Sequence, residues 1–392
     1  MIDVLVAGHL CVDIIPAIPA ISAQSDSFLA PGRLTEVGAA VISTGGAVSN
    51  TGLALHRLGL DVRLLGRIGD DHVGQLTQHI LEARNETLVQ DLVIAQDEGG
   101  SYTLVLNPPG VDRTFLHYPG PNDTFGPDDI PDHLLDRTKL FHFGYPPAMR
   151  RMYVNGGHAL TTIFRRAREH GATTSLDMAM PDPTRPGGRA DWRSILDHTL
   201  PYVDIFAPSV EELLYMLHRE MYNELVNAVG QDGLLDALSP ERIASLTQET
   251  LFLGAKIVAL KLGHRGLYMR SAETIKDLGR GGPTSLEKWQ ERELWGPCFK
   301  VEVAGTVGAG DTTIAGFLSG LLRGQTPEET TTSAVAVGAC NVETADATSG
   351  VRSWDATQAR IQAGWPRLEA HIDAQGWNWD KERGIWHGPH DR

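Results

Sequence analysis

Ala304-Gly305-Thr306-Val307-Gly308-Ala309-Gly310-Asp311-Thr312-Thr313-Ile314-Ala315-Gly316-Phe317-Leu318-Ser319-Gly320 is the stretch from which the rest of the chain can be read. The apolar residues from Phe299 to Val303 precede it and predict a strand. Ile314, Phe317 and Leu321 follow on one stripe of a helix. Gly308, Ala309 and Gly310 therefore fall on a strand-to-helix turn, where small residues leave backbone amides bare. Bare amides at a helix N-terminus attract anions, phosphate above all. Asp311 stands at the mouth of that cradle. A carboxylate there is electrostatically unfavourable unless it has chemistry to do. The chemistry that fits is taking a proton from a hydroxyl that attacks phosphate. A Gly-rich turn also serves tight packing, and an Asp at a helix start also serves as an N-cap, so the short turn alone leaves both readings open.

The 392 residues suffice for one large α/β domain or two modest ones, with 42% hydrophobic residues to build a core. A net charge of −15 argues against a nucleic-acid surface, which needs clustered Lys and Arg. Cys11, Cys298 and Cys340 are scattered, so neither a disulfide framework nor a zinc site is expected. The start of the chain reads as a buried strand rather than a signal peptide, and no apolar run is long enough to span a bilayer. A reducing cytoplasm and no membrane partner are the expectations.

Taken in order, Ile2 to Ala7 is a short apolar strand with Asp13 beyond its exit, on the side where open α/β sheets bind ligands. Gly45-Gly46-Ala47-Val48-Ser49-Asn50 opens a helix closed by Gly59. The paired glycines admit a ligand close to the backbone. Asn50 offers both a donor and an acceptor, which suits sugar hydroxyls, or else it caps the helix. Asp71 reads as an N-cap. Residues 101–106 and 113–117 predict two strands, with Arg113 a substrate-binding candidate whose alternative is an exposed strand arginine. From Leu140 onward strands and helices alternate, with Met149 to His170 one helix, which predicts a parallel sheet covered on both faces. Residues 218–250 predict a helical insertion, and residues 271–298 an irregular one. Ala339 and Cys340 lie on a helix whose small residues would let an adenine lie flat. The tail holds Trp365, Trp377, Trp379 and Trp386, and is expected to pack on its own domain or on a second copy of the chain, so that a homodimer is one expected assembly.

The string from 304 to 320 resembles the signature of the ribokinase-like (PfkB) sugar kinases, usually Asp-Thr-Thr-Gly-Ala-Gly-Asp before a small-residue helix. Gly45-Gly46-x-x-x-Asn50 and Leu55-x-Arg57-Leu58-Gly59 resemble the family's other signature, Gly-Gly-x-x-x-Asn followed by Ala-x-x-Leu-x-Arg-Leu-Gly, with Gly52 at the position of its Ala, and the two signatures stand in the right order. Pro119-Gly120-Pro121-Asn122 is similar to the element that ends the family's lid. The resemblance implies a ribokinase-like α/β fold over residues 1–365. Its central, mostly parallel sheet would be flanked by helices on both faces and topped by a small β-sheet lid from about 14–44 and 99–120. Residues 366–392 follow as a Trp-rich C-terminal tail. It also implies an ATP- and Mg2+-dependent kinase of a small sugar or sugar derivative, with Asp311 as base and Gly308, Ala309 and Gly310 as the anion hole. Asp13 and Asn50, with Gly45 and Gly46, would hold the substrate, Gly263 and Gly266 would lie beside the nucleotide, and Glu212 would face magnesium.

Ala47 stands where ribokinases carry Lys, which makes ribose a less secure substrate. Gly305 replaces the Asp that helps hold a monovalent cation in many members, so activity is expected to depend little on potassium. A nucleoside kinase of the same family would share every phosphoryl-transfer residue, and a non-catalytic sugar-binding regulator would have no need of Asp311. There is no Gly-x-x-x-x-Gly-Lys-Ser/Thr and no Gly-x-Ser-x-Gly.

Overall fold

A computed structural model describes residues 1–19, 31–32, 34–108, 114–369, 372 and 374–392. Ten strands form one sheet. Six of them, Val62–Leu65, Ile2–Gly8, Thr138–Gly144, Thr173–Leu176, Ile205–Phe206 and Ile257–Lys261, lie side by side in parallel. Four more, Leu267–Ser271, Glu293–Gly296, Ile385–His387 and Asn378–Asp380, continue it antiparallel at one edge. The strand Ile2–Gly8 shows why the sheet is covered twice. Leu5 and Ala7 pack into one buried core with Phe141, Phe143 and Phe164, while Val4 and Val6 pack into the other with Phe317 and Leu318. Alternate residues of a strand face opposite sides, so the unbroken apolar run from Val4 to Ala7 needs cover on both.

A separate four-stranded sheet is built from Ala40–Gly45, Cys11–Pro16, Tyr102–Leu106 and Thr114–Tyr118, in that spatial order. Two of its strands, Tyr102–Leu106 and Thr114–Tyr118, fall within the 99–120 segment expected for a lid, while Cys11–Pro16 begins three residues before the 14–44 segment and Ala40–Gly45 ends one residue past it. Asn122 ties the end of this sheet to the first strand by taking the Leu10 amide on Oδ1 and giving Nδ2 to the Leu10 carbonyl, both at 2.9 Å.

Several local expectations change. Phe299 to Val303 is not a strand; Phe299 makes one isolated bridge to Arg367 and stacks on Trp365 at 4.4 Å, so its apolarity reports burial rather than pairing. The single helix expected from Met149 to His170 is interrupted at Asn155, Gly156 and Gly157, which adopt positive φ, and resumes as His158–Glu169. The irregular 271–298 segment contains the sheet strand Glu293–Gly296. The tail packs on its own domain, one of the two arrangements expected for it: its strands extend the sheet, with Trp377 packed against Trp295 and Tyr268. Residues 218–250 are helical as expected, in Arg219–Gly233 and Pro240–Phe252.

Candidate active site

The carboxyl ends of four parallel strands converge on the start of the helix Ala309–Leu322. Immediately after them come His9, Tyr145, Asp177 and, as the last residue of its strand, Lys261. Gly308 begins the helix in the left-handed region (φ 69°), where a Cβ would stand 2.3 Å from the Ala347 carbonyl oxygen. Among the described residues no side chain caps the helix; the Ala309 amide makes a 3.3 Å bond to the Thr306 carbonyl, and the other first-turn amides are left for another acceptor.

Asp311, on the first turn, is 2% exposed. Asn50 Nδ2 donates to its Oδ2 at 3.0 Å, and the Tyr145 hydroxyl donates to both oxygens, at 2.9 and 2.8 Å. Thr51 Oγ1 reaches Oδ1 at 3.4 Å. Burial pushes the Asp311 carboxyl above its usual range, opposed by the Lys261 charge and by the bonds from Asn50 and Tyr145. Burial and the nearby carboxylates hold the Tyr145 phenol well above its ordinary value, so it stays a donor. Tyr145 itself sits at φ 65°, a conformation rare for a bulky residue.

Beside this carboxylate, Lys261 Nζ contacts Asp177 Oδ1 at 2.6 Å, with the Asp177 side chain fully buried and that of Lys261 12% exposed. Asp177 Oδ2 and Asn50 Oδ1 are buried without partners among the described residues, as is Nε2 of His142. Buried polar atoms are ordinarily satisfied, so orphans gathered at one cleft mark where ligand or water belongs. Burial drops His9 and His142 to about 3, leaving both imidazoles neutral.

On the lid side, Asp13 accepts from the Cys11 thiol at 3.4 Å, and burial raises its carboxyl. Gly45 leaves room for Asp13, since a Cβ there would stand 2.1 Å from Asp13 Oδ2 and push that side chain aside. Gly46 is the N-cap of the helix Ala47–Arg57, which carries Asn50 inward. His9 and His117 approach through their Nε2 atoms at 3.3 Å, and Thr103 meets His117 Nδ1 at 3.0 Å, so a neutral polar wall faces Asp13 and Asn50.

On the other side of the helix start lies a cavity of about 380 Å³. Gly263, Gly266, Ala309, Gly310, Gly338 and Ala339 line it, as do Lys261 and Phe299. Three expected nucleotide residues are thus brought together. Cys340 is not among them: its thiol turns to the Arg360 guanidinium at 3.7 Å. Consecutive helical residues point about 100° apart, so Ala339 faces the cavity and its neighbour does not. Glu212 caps its own helix, its Oε2 accepting from the Ser209 amide at 2.7 Å, while its charge acts on Asp177, Lys261 and Asp311. Arg113 lies outside the described residues. Sequence reading missed Tyr145 and Lys261 and gave Asp177 no role. Their signal was position alone, at the exits of apolar strands.

This geometry can be set beside known proteins. An uncharacterised sugar kinase of Archaeoglobus fulgidus is 26% identical over 266 residues, covering 68% of this chain and 84% of that one. The ribokinase of Arabidopsis thaliana, solved in complex with ribose and ATP, superposes with a TM-score of 0.67 at 18% identity, over 92% of this chain and 99% of that one. The fructokinase of Xylella fastidiosa, solved with bound ATP, also gives 0.67, at 19% identity over 92% of this chain and 98% of that one. These superpositions show a ribokinase fold. The model of the pfkB family carbohydrate kinases matches residues 1–354, and the chain belongs to that family of kinases.

Proposed function

We propose that this kinase transfers the γ-phosphoryl group of ATP to a hydroxyl of a small sugar or sugar derivative, with Asp311 as general base. The acceptor O–H gives its proton to Asp311, and the acceptor oxygen bonds to the γ-phosphorus. The bond from that phosphorus to the bridging oxygen breaks, and ADP leaves. The observation that carries this reading is the Asp311 carboxylate itself. It is buried in the first turn of an uncapped helix, held by Asn50 from the other signature helix, with an ammonium beside it.

The amides at Gly308, Ala309 and Gly310 are the donors for the transferring group. The neutral wall of His9, His117 and Thr103, with Asp13 and Asn50, suits an uncharged polyhydroxyl acceptor. The 380 Å³ cavity with Gly263, Gly266 and Ala339 suits the adenine and ribose of ATP. Magnesium would come with the ATP phosphates and neutralise their charge. The carboxylates of Glu212 and Asp177, the latter with an orphaned oxygen, are the hard donors that its water shell takes. The test is turnover of ATP and magnesium with a panel of pentoses, hexoses, sugar acids and nucleosides. Turnover with a sugar supports the reading. Turnover with nucleosides alone moves the acceptor to that class, and turnover with none overturns it.

A further inference from the structure

We propose that Lys261 is a catalytic residue, its ammonium donating to the oxygens of the transferring phosphoryl group while Asp177 holds it in position. This deepens the reading above and rests on it. Lys261 ends the strand Ile257–Lys261, and its side chain lines the same cavity as Ala309 and Gly310. Its Nζ lies 3.5 Å from where a Cβ on Gly310 would stand, so the charge abuts the helix start that carries the cradle. Asp177 Oδ1 takes one ammonium proton at 2.6 Å, and an ammonium has three to give.

A stability role explains this arrangement poorly. A buried ion pair is often no better than an apolar pair of the same volume, because desolvation offsets the attraction. The place is also rich in carboxylates, since the charges of Glu212 and Asp311 act on Lys261 together with that of Asp177. A triphosphate cannot enter such a place without a cation facing it. No proton leaves Lys261 in the step. It offers two N–H bonds where charge spreads over the equatorial oxygens, and the acceptor proton still goes to Asp311.

The test compares Lys261→Met, Lys261→Arg and the double variant Lys261→Met with Asp177→Asn. The double variant removes both members of the Lys261–Asp177 pair, so neither is left buried without the other. The expected result is a kcat at least a hundredfold lower in both Met variants, with Lys261→Arg recovering at least tenfold over Lys261→Met. Calorimetry supplies a second readout. Affinity for ADP should change by less than threefold, while affinity for ADP with aluminium fluoride and sugar, a mimic of the transferring group, should fall at least thirtyfold. A double variant within threefold of the wild-type kcat would show that Lys261 only neutralises Asp177, and would overturn the proposal alone. An Asp311→Asn enzyme as active as wild type, or a wild type that phosphorylates nothing in the panel, would overturn the kinase chemistry and this inference with it.

Discussion

Replacing Asp311 by Asn tests the site with little disturbance to the fold. The carboxylate accepts from Asn50 at 3.0 Å and from Tyr145 at 2.8 and 2.9 Å. An amide turned with its oxygen toward Asn50 keeps that bond. Its NH2 then faces the hydroxyls of Tyr145 and Thr51, which rotate to accept. Losing charge-assisted bonds costs about 1–2 kcal/mol. Burial, however, disfavours the charged carboxylate in the first place, so neutralising it offsets part of that cost. Stability should therefore change by less than about 2 kcal/mol, and ATP should bind as before.

Turnover should behave differently. General-base catalysis contributes typically ~10²–10⁴-fold, or about 3–5.5 kcal/mol of barrier, and an amide cannot take the proton. Coupled measurement of ADP release gives kcat, calorimetry gives the ATP affinity, and urea unfolding gives stability. A variant that keeps a tenth or more of the wild-type kcat, with its fold intact, would refute Asp311 as the base.

Three further outcomes follow from the same geometry. Because the basic form of Asp311 is required, activity should fall as pH drops through its raised pKa. Tyr145→Phe removes a bond that lowers that pKa, so the acid limb of kcat/KM should move to higher pH; a limb that stays or moves down contradicts the role of Tyr145. Gly308→Ala sets a Cβ 2.3 Å from the Ala347 carbonyl at φ 69°, costing at least about 1–2 kcal/mol of stability and a tenfold or greater loss of kcat; full stability and kcat together would show that the turn is not held this way. Potassium should matter little: a Cβ on Gly305 would already touch the Ala345 backbone at 2.9 Å, and the Val307 carbonyl is taken by Asn341 Nδ2 at 3.1 Å. A rise in kcat/KM of tenfold, about 1.4 kcal/mol, in potassium against a bulky organic cation at equal ionic strength would contradict this.

The sequence by itself determined the small-residue turn that opens the helix Ala309–Leu322 and put Asp311 in its first turn, because Gly308 to Asp311 are contiguous and a helix start is a local event. It determined the layered parallel sheet as well, since runs apolar at every position, alternating with helical stripes, have few other ways to be buried. Asp71 as a cap was legible for the same local reason, and its side chain accepts from the Gly74 amide at 2.9 Å. What stayed hidden depends on contacts between residues far apart in the chain. Tyr145 and Asn50 lie 166 and 261 residues from Asp311, and Asp177 lies 84 from Lys261. Nothing in a local pattern ties them; only the parallel register, with Ala7 beside Phe143 and Phe143 beside Leu176, carries these strand ends to one edge. The tertiary structure also decided the orientations that patterns leave ambiguous. Ala339 faces the 380 Å³ cavity and Cys340 faces Arg360 because helix phase is fixed by packing, and Phe299 is buried against Trp365 rather than paired in a strand because apolarity reports burial without saying which geometry supplies it.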